Sequence, residues 1–268
     1  MSLTLDLSGR LAVVTGGTRG VGAGIARAFL QAGAEVVVCA RRPPDAPVRA
    51  AGRTARFRPL DLREPAAVRE FFDRIATEYG RLDCLVNNAG GTPHRLLADA
   101  APERHARVLD LNLTAPLTAS LAAYEVLRSG PAGGSIIMIG SVSGSRPSPG
   151  SAAYGAAKAG LDHLARSMAV EWAPAVRVNT LVLGMVHTEL SALHYGDAAG
   201  VAAVGATVPL GRLAEPAEVG EACVFLASDR AGYLTGASLL LHGGGERPAF
   251  LAAATAHHPV TAPSARES

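Results

Sequence analysis

The stretch that decides the fold is Thr15-Gly16-Gly17-Thr18-Arg19-Gly20-Val21-Gly22. An apolar segment, Leu11–Thr15, leads into it, and a helical pattern over Gly22–Ala32 follows at once. A glycine-rich turn between a first strand and a first helix lets the backbone approach a pyrophosphate at the positive end of the helix. The spacing is G-x-x-x-G-x-G, not the commoner G-x-G-x-x-G, so by itself the run is also compatible with a purely structural turn.

Short apolar segments alternate with longer helical ones on either side of this turn. Such alternation predicts βαβ units and a parallel sheet, and the length of 268 residues suits one α/β domain. The predicted strands are Leu11–Thr15, Glu35–Ala40, Ala55–Leu60, Cys84–Asn87, Ser135–Ile139, Val176–Leu183 and Ser238–Leu241. The predicted helices are Gly22–Ala32, Pro65–Tyr79, Pro102–Ser129, Ser151–Trp172 and Pro216–Ala227.

Two segments depart from this alternation. Arg41–Thr54 is proline-rich and is predicted to be mostly loop where a helix is expected. Residues 1–245 form the predicted domain, and Glu246–Ser268 is an Ala/Pro/Thr/Ser-rich tail, weakly ordered or in contact with a neighbouring subunit. The tail contains His257-His258, but no further ligand lies nearby, so no metal site is predicted.

Composition excludes several classes of protein. The net charge is only +2, and no basic strip interleaved with aromatic residues suggests nucleic acid. The three cysteines, Cys39, Cys84 and Cys223, lie far apart in or beside apolar segments, which fits buried thiols in a reducing cytosol. No signal peptide precedes the domain and no apolar run is long enough to cross a membrane, so we expect a cytoplasmic protein.

The chain has a single lysine, Lys158, among its 25 basic residues. It stands four residues after Tyr154, so on the predicted helix both side chains lie on one face. An amine is a compact point charge with rotatable donors, which a guanidinium is not. The pair therefore indicates either a chemical site or, as the plainer alternative, one surface lysine retained by chance.

Three motifs together resemble the short-chain dehydrogenase/reductase family: Thr15–Gly22, Asn87-Asn88-Ala89-Gly90 and Tyr154-x-x-x-Lys158. The resemblance spans about residues 8 to 245 and occurs in the right order along the βα alternation. It implies a Rossmann-type, doubly wound sheet of seven parallel strands in the order 3-2-1-4-5-6-7. It also implies a nicotinamide dinucleotide lying across the carboxyl ends of the strands.

The resemblance assigns a set of cofactor-binding residues. Asp61, followed by Leu62, matches the family position that holds the adenine amino group, and Asn87–Gly90 would support the central strand and line the adenine-ribose channel. The complete set is Gly16, Thr18, Arg19, Gly20, Val21, Gly22, Arg41, Arg42, Asp61, Leu62, Asn88, Ala89, Gly90, Tyr154, Lys158, Gly184, Val186 and Thr188.

The end of the second strand argues for NADP(H). NAD sites usually place a carboxylate there, on the ribose hydroxyls. Here the strand ends Cys39-Ala40-Arg41-Arg42, and two guanidiniums suit a 2′-phosphate, with Arg19 as a third cation. NAD stays open as the alternative, because these arginines are also compatible with simple solvation.

Four residues at family spacing would handle the proton. Tyr154 is the expected acid/base, Lys158 its tuner, Ser141 the substrate orienter 154 − 141 = 13 residues earlier, and Asn112 the holder of a relay water. Ser143 is a second candidate for the orienting hydroxyl. A free phenol titrates near pH ~10, and we expect the neighbouring ammonium and an oxidised nicotinamide to lower the pKa of Tyr154.

Two positions differ from the usual family pattern. Leu183 replaces a proline before Gly184, which removes a fixed φ, although Gly184, Val186 and Thr188 remain for the nicotinamide carboxamide. His242 replaces an aspartate ahead of Gly243-Gly244, which puts subunit contacts near the last strand in question.

Residues 185–208 would form a lid over the substrate, facing walls at 91–95 and 143–149. Their small and apolar character suits a hydrophobic ketone, a steroid-like alcohol or a 3-oxoacyl thioester, while His94 and Arg146 could meet an anionic substrate. The first hypothesis is an NADP(H)-dependent carbonyl reductase or alcohol dehydrogenase. The resemblance implies a homotetramer or homodimer that pairs through the helices flanking the fifth strand. An NAD-dependent alcohol dehydrogenase and a non-catalytic dinucleotide-binding scaffold are the alternatives.

Overall fold

A computed structural model describes residues 5–130 and 133–249 of the chain. Its strands are β1 Leu11–Thr15, β2 Glu35–Ala40, β3 Arg49–Ala50, β4 Arg53–Thr54, β5 Arg56–Pro59, β6 Cys84–Asn87, β7 Gly134–Ser141, β8 Val176–Leu183 and β9 Ser238–Leu241. Its α-helices are α1 Gly20–Gln31, α2 Pro65–Tyr79, α3 Pro102–Leu109, α4 Ala115–Arg128, α5 Ala152–Trp172, α6 Ser191–Tyr195, α7 Ala198–Thr207 and α8 Pro216–Ala227. Most of the predicted tail, with His257 and His258, lies outside the described residues.

Seven strands form one parallel sheet in the order β5-β2-β1-β6-β7-β8-β9. In chain order, counting these seven alone, this is 3-2-1-4-5-6-7, so the expected Rossmann-type topology is confirmed. All seven predicted strands are present. The fifth is longer than predicted, because β7 continues to Ser141 opposite Leu183.

Both faces of the sheet are covered, since successive strand residues point to opposite sides and are apolar on each. On one face, Val14 and Val38 pack under α1 and α8. On the other, Val13 and Val37 pack under α2, α4 and α5. The three cysteines are free and buried, as expected.

The connection between β2 and β5 is a loop carrying a small hairpin, not a helix. β3 and β4 pair antiparallel, and the turn between them uses Ala51 and Gly52 with φ values of 48° and 71°. The prediction of a mostly looped segment is confirmed for its proline-rich half, and the hairpin was not foreseen.

The helix predicted over residues 102–129 contains an irregularity. A π-helical turn at Asp110–Thr114 separates α3 from α4, and Asn112 is buried within it. Such turns often occur at functional sites, because the extra residue reorients one side chain out of the helical register. No helix among the described residues is long and apolar enough to cross a membrane.

Candidate active site

The glycine-rich turn brings a free set of backbone donors to the carboxyl edge of the sheet. α1 begins at Gly20, two residues earlier than predicted, and its first intrahelical bond runs from the Ala23 N–H to the Arg19 carbonyl, at 3.1 Å. The N–H groups of Gly20, Val21 and Gly22 therefore have no partner in the helix, and no side chain caps them. An anion at this position would receive those hydrogen bonds and the favourable end of the helix dipole.

Glycine is required in the turn for closeness as well as for conformation. Gly16 has φ 63°, and a Cβ on Gly22 would stand 2.3 Å from the Gly16 carbonyl oxygen. Asn88 fixes this crossing, because its Nδ2 donates to the Thr15 carbonyl at 2.8 Å. The first and fourth sheet strands are thus tied together beneath the turn.

Thr15 is a site residue that sequence reasoning did not single out. Its hydroxyl accepts the N–H groups of Asn88 and Ala89, at 3.0 and 3.1 Å, and donates to the Val86 carbonyl at 3.2 Å. Thr15 is the first residue of the glycine-rich stretch, but a hydroxyl at the end of a strand is equally compatible with a simple cap of the following turn. Its role is to hold the Asn88–Gly90 loop against β1.

Arg41 and Arg42 follow β2, and Arg19 precedes α1, all three with exposed side chains. Within residues 5–130 and 133–249 none of them takes part in an ion pair. Their charges are therefore free to meet an anion at this end of the edge.

Asp61 lies past the end of β5, and its carboxylate is held by a residue that the sequence analysis did not name. Arg63 donates to both carboxylate oxygens, at 3.0 Å from Nε and 2.6 Å from Nη2. These bonds lower the pKa of Asp61 to about 2. Leu62, its neighbour, is partly exposed at the same edge.

The Tyr154 and Lys158 side chains meet beneath the centre of the edge. Lys158 is buried, and its Nζ donates to the Ile139 carbonyl at 2.8 Å and lies 5.5 Å from the centre of the Tyr154 ring. Burial lowers the pKa of Lys158 to about 8, because the charged form loses hydration. A chance surface lysine is excluded by this placement.

The pKa of Tyr154 differs from the expected one in the chain without cofactor. Burial raises its pKa above the usual value, and hydrogen bonding with Ser141 acts in the opposite direction. The expected lowering of the Tyr154 pKa is therefore not seen in the chain without cofactor. Burial outweighs the Ser141 hydrogen bond, since desolvation penalises the phenolate directly.

Ser141 and Ser143 stand in different surroundings. Ser141 caps the short turn after β7, where its Oγ accepts the Ser143 N–H at 3.2 Å and lies beside Tyr154. The Ser143 hydroxyl instead accepts from Ser148 Oγ at 3.1 Å, and Ser148 also contacts Ser151. The geometry therefore favours Ser141 over Ser143 as the orienting hydroxyl.

Asn112 links the π turn to the loop after β6. Its Oδ1 accepts the Gly91 N–H at 2.8 Å, while its Nδ2 donates to the carbonyls of Gly91 and Val108 at 3.0 and 2.9 Å. A Cβ on Gly90 would stand 2.5 Å from Asn112 Oδ1 and 3.5 Å from Lys158 Nζ. Gly90 thus lets both polar groups approach the same backbone, while the relay water stays a prediction.

The loop after β8 lies against the glycine-rich turn. The Leu183 departure is accommodated in the sheet, where β8 pairs up to that residue and the Gly184 N–H donates to the Leu241 carbonyl at 2.9 Å. Val186 then bridges to Ala214. Thr188 comes close to Gly20, with its methyl 3.6 Å from where a Cβ on that glycine would be.

The two wall residues considered for an anionic substrate, Arg146 and His94, both make contacts within the protein. Arg146 pairs with Glu246, with Nη2 and Oε1 2.5 Å apart. The His94 ring packs on Gly150, leaving no room for a Cβ there, and the Arg95 N–H donates to the Gly150 carbonyl at 2.7 Å. An anionic substrate is therefore disfavoured at these two residues.

One side chain of the predicted lid, Tyr195, lies near Tyr154. Tyr195, at the end of α6, is half-buried, and its charge state acts on Tyr154 while Arg146 and Glu246 act on it. Burial raises the pKa of Tyr195, so it remains a neutral hydroxyl at physiological pH.

Comparison with known proteins decides the family. A family model described as enoyl-(acyl carrier protein) reductase matches residues 16–246. The chain belongs to the short-chain dehydrogenase/reductase family. It is 35% identical over 244 residues to the 3-oxoacyl-[acyl-carrier-protein] reductase FabG of Escherichia coli, covering 90% of this chain and 98% of that one.

Solved structures of short-chain dehydrogenases share the whole fold. Aldohexose dehydrogenase AldT of Thermoplasma acidophilum, in ligand-free form, has a TM-score of 0.84 at 29% identity over 90% of this chain and 95% of that one. The NADP active-site complex of RhlG from Pseudomonas aeruginosa has a TM-score of 0.81 at 32% identity, over 91% and 99%. As a short-chain dehydrogenase/reductase, the chain is an oxidoreductase that uses a nicotinamide cofactor on an alcohol or ketone.

Proposed function

We propose that the protein is an NADP(H)-dependent carbonyl reductase. The observation that carries this proposal is the buried Lys158 amine beside Tyr154, with Ser141 next to the phenol. Burying a lone amine costs free energy, and a protein without proton chemistry has no use for it. This argues against the alternative of a non-catalytic scaffold.

The proposed roles follow from the geometry. Ser141 orients the substrate oxygen, and Tyr154 gives a proton to that oxygen in reduction or takes it in oxidation. Lys158, largely protonated at neutral pH, favours the phenolate once the proton has left. The bound nicotinamide supplies or accepts the hydride. Asn112 holds the Gly91 backbone beside this group.

The dinucleotide fits the edge as the structure presents it. The free N–H groups of Gly20–Gly22 suit its pyrophosphate, and Thr188 closes over them. Arg41 and Arg42, exposed and outside any ion pair of the described residues, suit a 2′-phosphate. The RhlG–NADP complex is similar to this chain and supports the same choice. NAD stays the alternative.

The substrate we propose is a largely apolar ketone, with a 3-oxoacyl thioester as the first candidate. FabG, by its name, reduces such a thioester, and Arg146 in the proposed wall is already paired with Glu246. Residues 185–208, with α6 and α7, are the proposed lid. We propose a homotetramer or homodimer, and a cytoplasmic location stays a prediction.

The experiment is a titration of the purified protein with NADPH and separately with NADH, read by nicotinamide fluorescence. We expect NADPH to bind at least tenfold more tightly, about 1.4 kcal/mol. A preference for NADH would replace the proposal with the NAD-dependent alcohol dehydrogenase. If neither NADPH nor NADH binds, the enzyme proposal is wrong, and so is the alternative of a dinucleotide-binding scaffold.

Matched arginine variants test the phosphate argument directly. Arg41→Ala with Arg42→Ala should reduce NADPH affinity by about 100-fold or more, because each forked ionic hydrogen bond contributes about 1.5–3 kcal/mol. NADH affinity should change little. Arg49→Ala, an exposed arginine of the β3 strand, is the control for a loss of positive charge. Equal losses of NADPH and NADH would remove the phosphate role.

A further inference from the structure

The Asp61–Arg63 pair is a built clamp, not a loose surface contact. Arg63 donates from Nε to Oδ1 at 3.0 Å, from Nη2 to Oδ2 at 2.6 Å and from its backbone N–H to Oδ1 at 3.1 Å. The guanidinium and the carboxylate thus face each other edge to edge, two residues apart in the chain. Their side chains are 35% and 29% exposed, so one side of the pair is open to a ligand.

The clamp lies at the edge where the sheet strands end. Leu60 donates its N–H to the Ala40 carbonyl at 3.0 Å, which brings the end of β5 beside the end of β2. The Arg41 charge acts on Asp61, and Asp110 and Glu64 act on Arg63. Asp61 therefore lies at the same end of the sheet as the arginine proposed to bind the 2′-phosphate.

We propose that Arg63 is a positioning residue that makes the nucleotide site selective for a 6-aminopurine. By filling three acceptor positions of Asp61, it leaves one lone pair, on Oδ2, free to accept from an exocyclic amino group. This inference rests on the proposed function, since it assumes that a dinucleotide binds at this edge.

The argument counts acceptor sites. A carboxylate has about four lone-pair sites, and Arg63 occupies two on Oδ1 and one on Oδ2. A purine with an amino group supplies the donor that the last site needs. A hypoxanthine ring presents a carbonyl oxygen at the same place, so an acceptor would face an acceptor and the carboxylate would stay unpaired.

Orientation, not charge, is what Arg63 supplies. The pKa of Asp61 is about 2 with the clamp and ordinarily 3.8, so the carboxylate is ionised at neutral pH in either case. A variant without Arg63 therefore keeps the Asp61 carboxylate as an ionised acceptor and loses only the fixed orientation of that carboxylate. A lysine at this position would keep the positive charge without the planar fork.

The test is a fluorescence titration with NADPH, NADH and reduced nicotinamide hypoxanthine dinucleotide phosphate. The wild type should bind NADPH about tenfold more tightly than the hypoxanthine analogue, a difference expected for one hydrogen bond to a charged group. Arg63→Gln and Arg63→Lys should both reduce that ratio to about twofold or less. Arg74→Gln, which breaks an exposed pair with Glu70 on α2, is the control and should keep the wild-type ratio.

Each outcome decides the inference. An unchanged ratio in both Arg63 variants would overturn it, as would a wild type that binds NADPH but does not distinguish the two purines. The inference would also be overturned if the Arg63 variants changed only the ratio of NADPH affinity to NADH affinity, because Arg63 would then act on the 2′-phosphate and not on the purine. A wild type that binds no dinucleotide would remove the proposed function and this inference together, which is a distinct result. Thermal melting of each variant shows that the fold is retained.

Discussion

Lys158 illustrates, at the scale of one residue, how a proposed active site opposes stability. Its pKa is lowered to about 8 from an ordinary 10.5 by burial alone. Below pH 8 the folded and unfolded states both hold the proton, so the folded state bears the full cost of the buried charge. Between pH 8 and 10.5 the folded state releases the proton first, and stability rises with pH.

Replacing this amine should therefore stabilise the protein. Lys158→Met should gain about 2 kcal/mol at pH 7, a rise in Tm of a few degrees, after allowing for the lost bond to Ile139. The gain should shrink as pH rises from 8 through 10.5. Thermal melting of both proteins across that range checks it, and a destabilised variant at pH 7 would mean that the hydrogen bond outweighs desolvation.

Tyr154→Phe should separate chemistry from binding. NADPH affinity should stay within about twofold of wild type, while turnover of a 3-oxoacyl thioester falls by at least about 100-fold, the usual worth of a positioned acid. Tyr233→Phe, on a fully exposed side chain, is the control. Turnover that survives in Tyr154→Phe would move the proton donor elsewhere, and joint loss of binding and turnover would indicate a structural role.

At the scale of elements, the loop after β8 carries a charge that opposes the proposed ligand. Glu189 follows Thr188, and its Oε1 lies 3.7 Å from where a Cβ on Gly20 would be, at the N-terminus of α1. An anionic carboxylate there stabilises the free helix end but repels a pyrophosphate. The Glu189 side chain must therefore move away from the N-terminus of α1 when a dinucleotide binds.

Removing the charge should tighten binding. Glu189→Gln should increase NADPH affinity about threefold to tenfold, because two like charges at close range cost about 1 kcal/mol in a solvated site. Glu171→Gln on α5, an exposed acid outside every described ion pair, is the matched control and should leave affinity unchanged. Weaker binding in Glu189→Gln would show that the carboxylate orders the loop instead.

The elements also show what the sequence could predict. Strand positions followed from apolar runs, and Tyr154 and Lys158 followed from helical spacing, since both depend on neighbours in the chain. The Arg146–Glu246 pair joins residues 100 apart, and the π turn at Asn112 satisfies the distant Gly91 backbone. Contacts of that kind depend on tertiary packing, which no local pattern encodes. The Asp61–Arg63 ion pair was also not predicted, although its partners are only two residues apart. An i, i+2 ion pair forms only in a particular turn, which the sequence pattern did not indicate.

For the molecule as a whole, exposed apolar side chains on the outer helices favour association with another copy. Leu121 on α4 is 57% exposed and Val170 on α5 is 83% exposed. These are the helices flanking the fifth sheet strand, β7, through which we propose that copies associate. Large exposed apolar residues are more costly in a monomer than in an assembly that covers them.

Sedimentation velocity at micromolar concentration should show a dimer or tetramer. Val170→Asp should shift the protein toward monomer, because a carboxylate in a covered apolar contact loses its hydration. Leu97→Asp, on an exposed side chain of the loop after β6, is the control and should leave the assembly intact. A monomeric wild type would contradict the proposed assembly.

The Arg146–Glu246 contact has a practical consequence for anyone who measures this protein. Glu246 lies near the carboxyl end of the described residues, and its partner belongs to a proposed wall of the substrate site. Both side chains are about two-fifths exposed, so salt screens their attraction. Michaelis constants should then rise with ionic strength, and we expect Glu246→Gln to raise them at low salt.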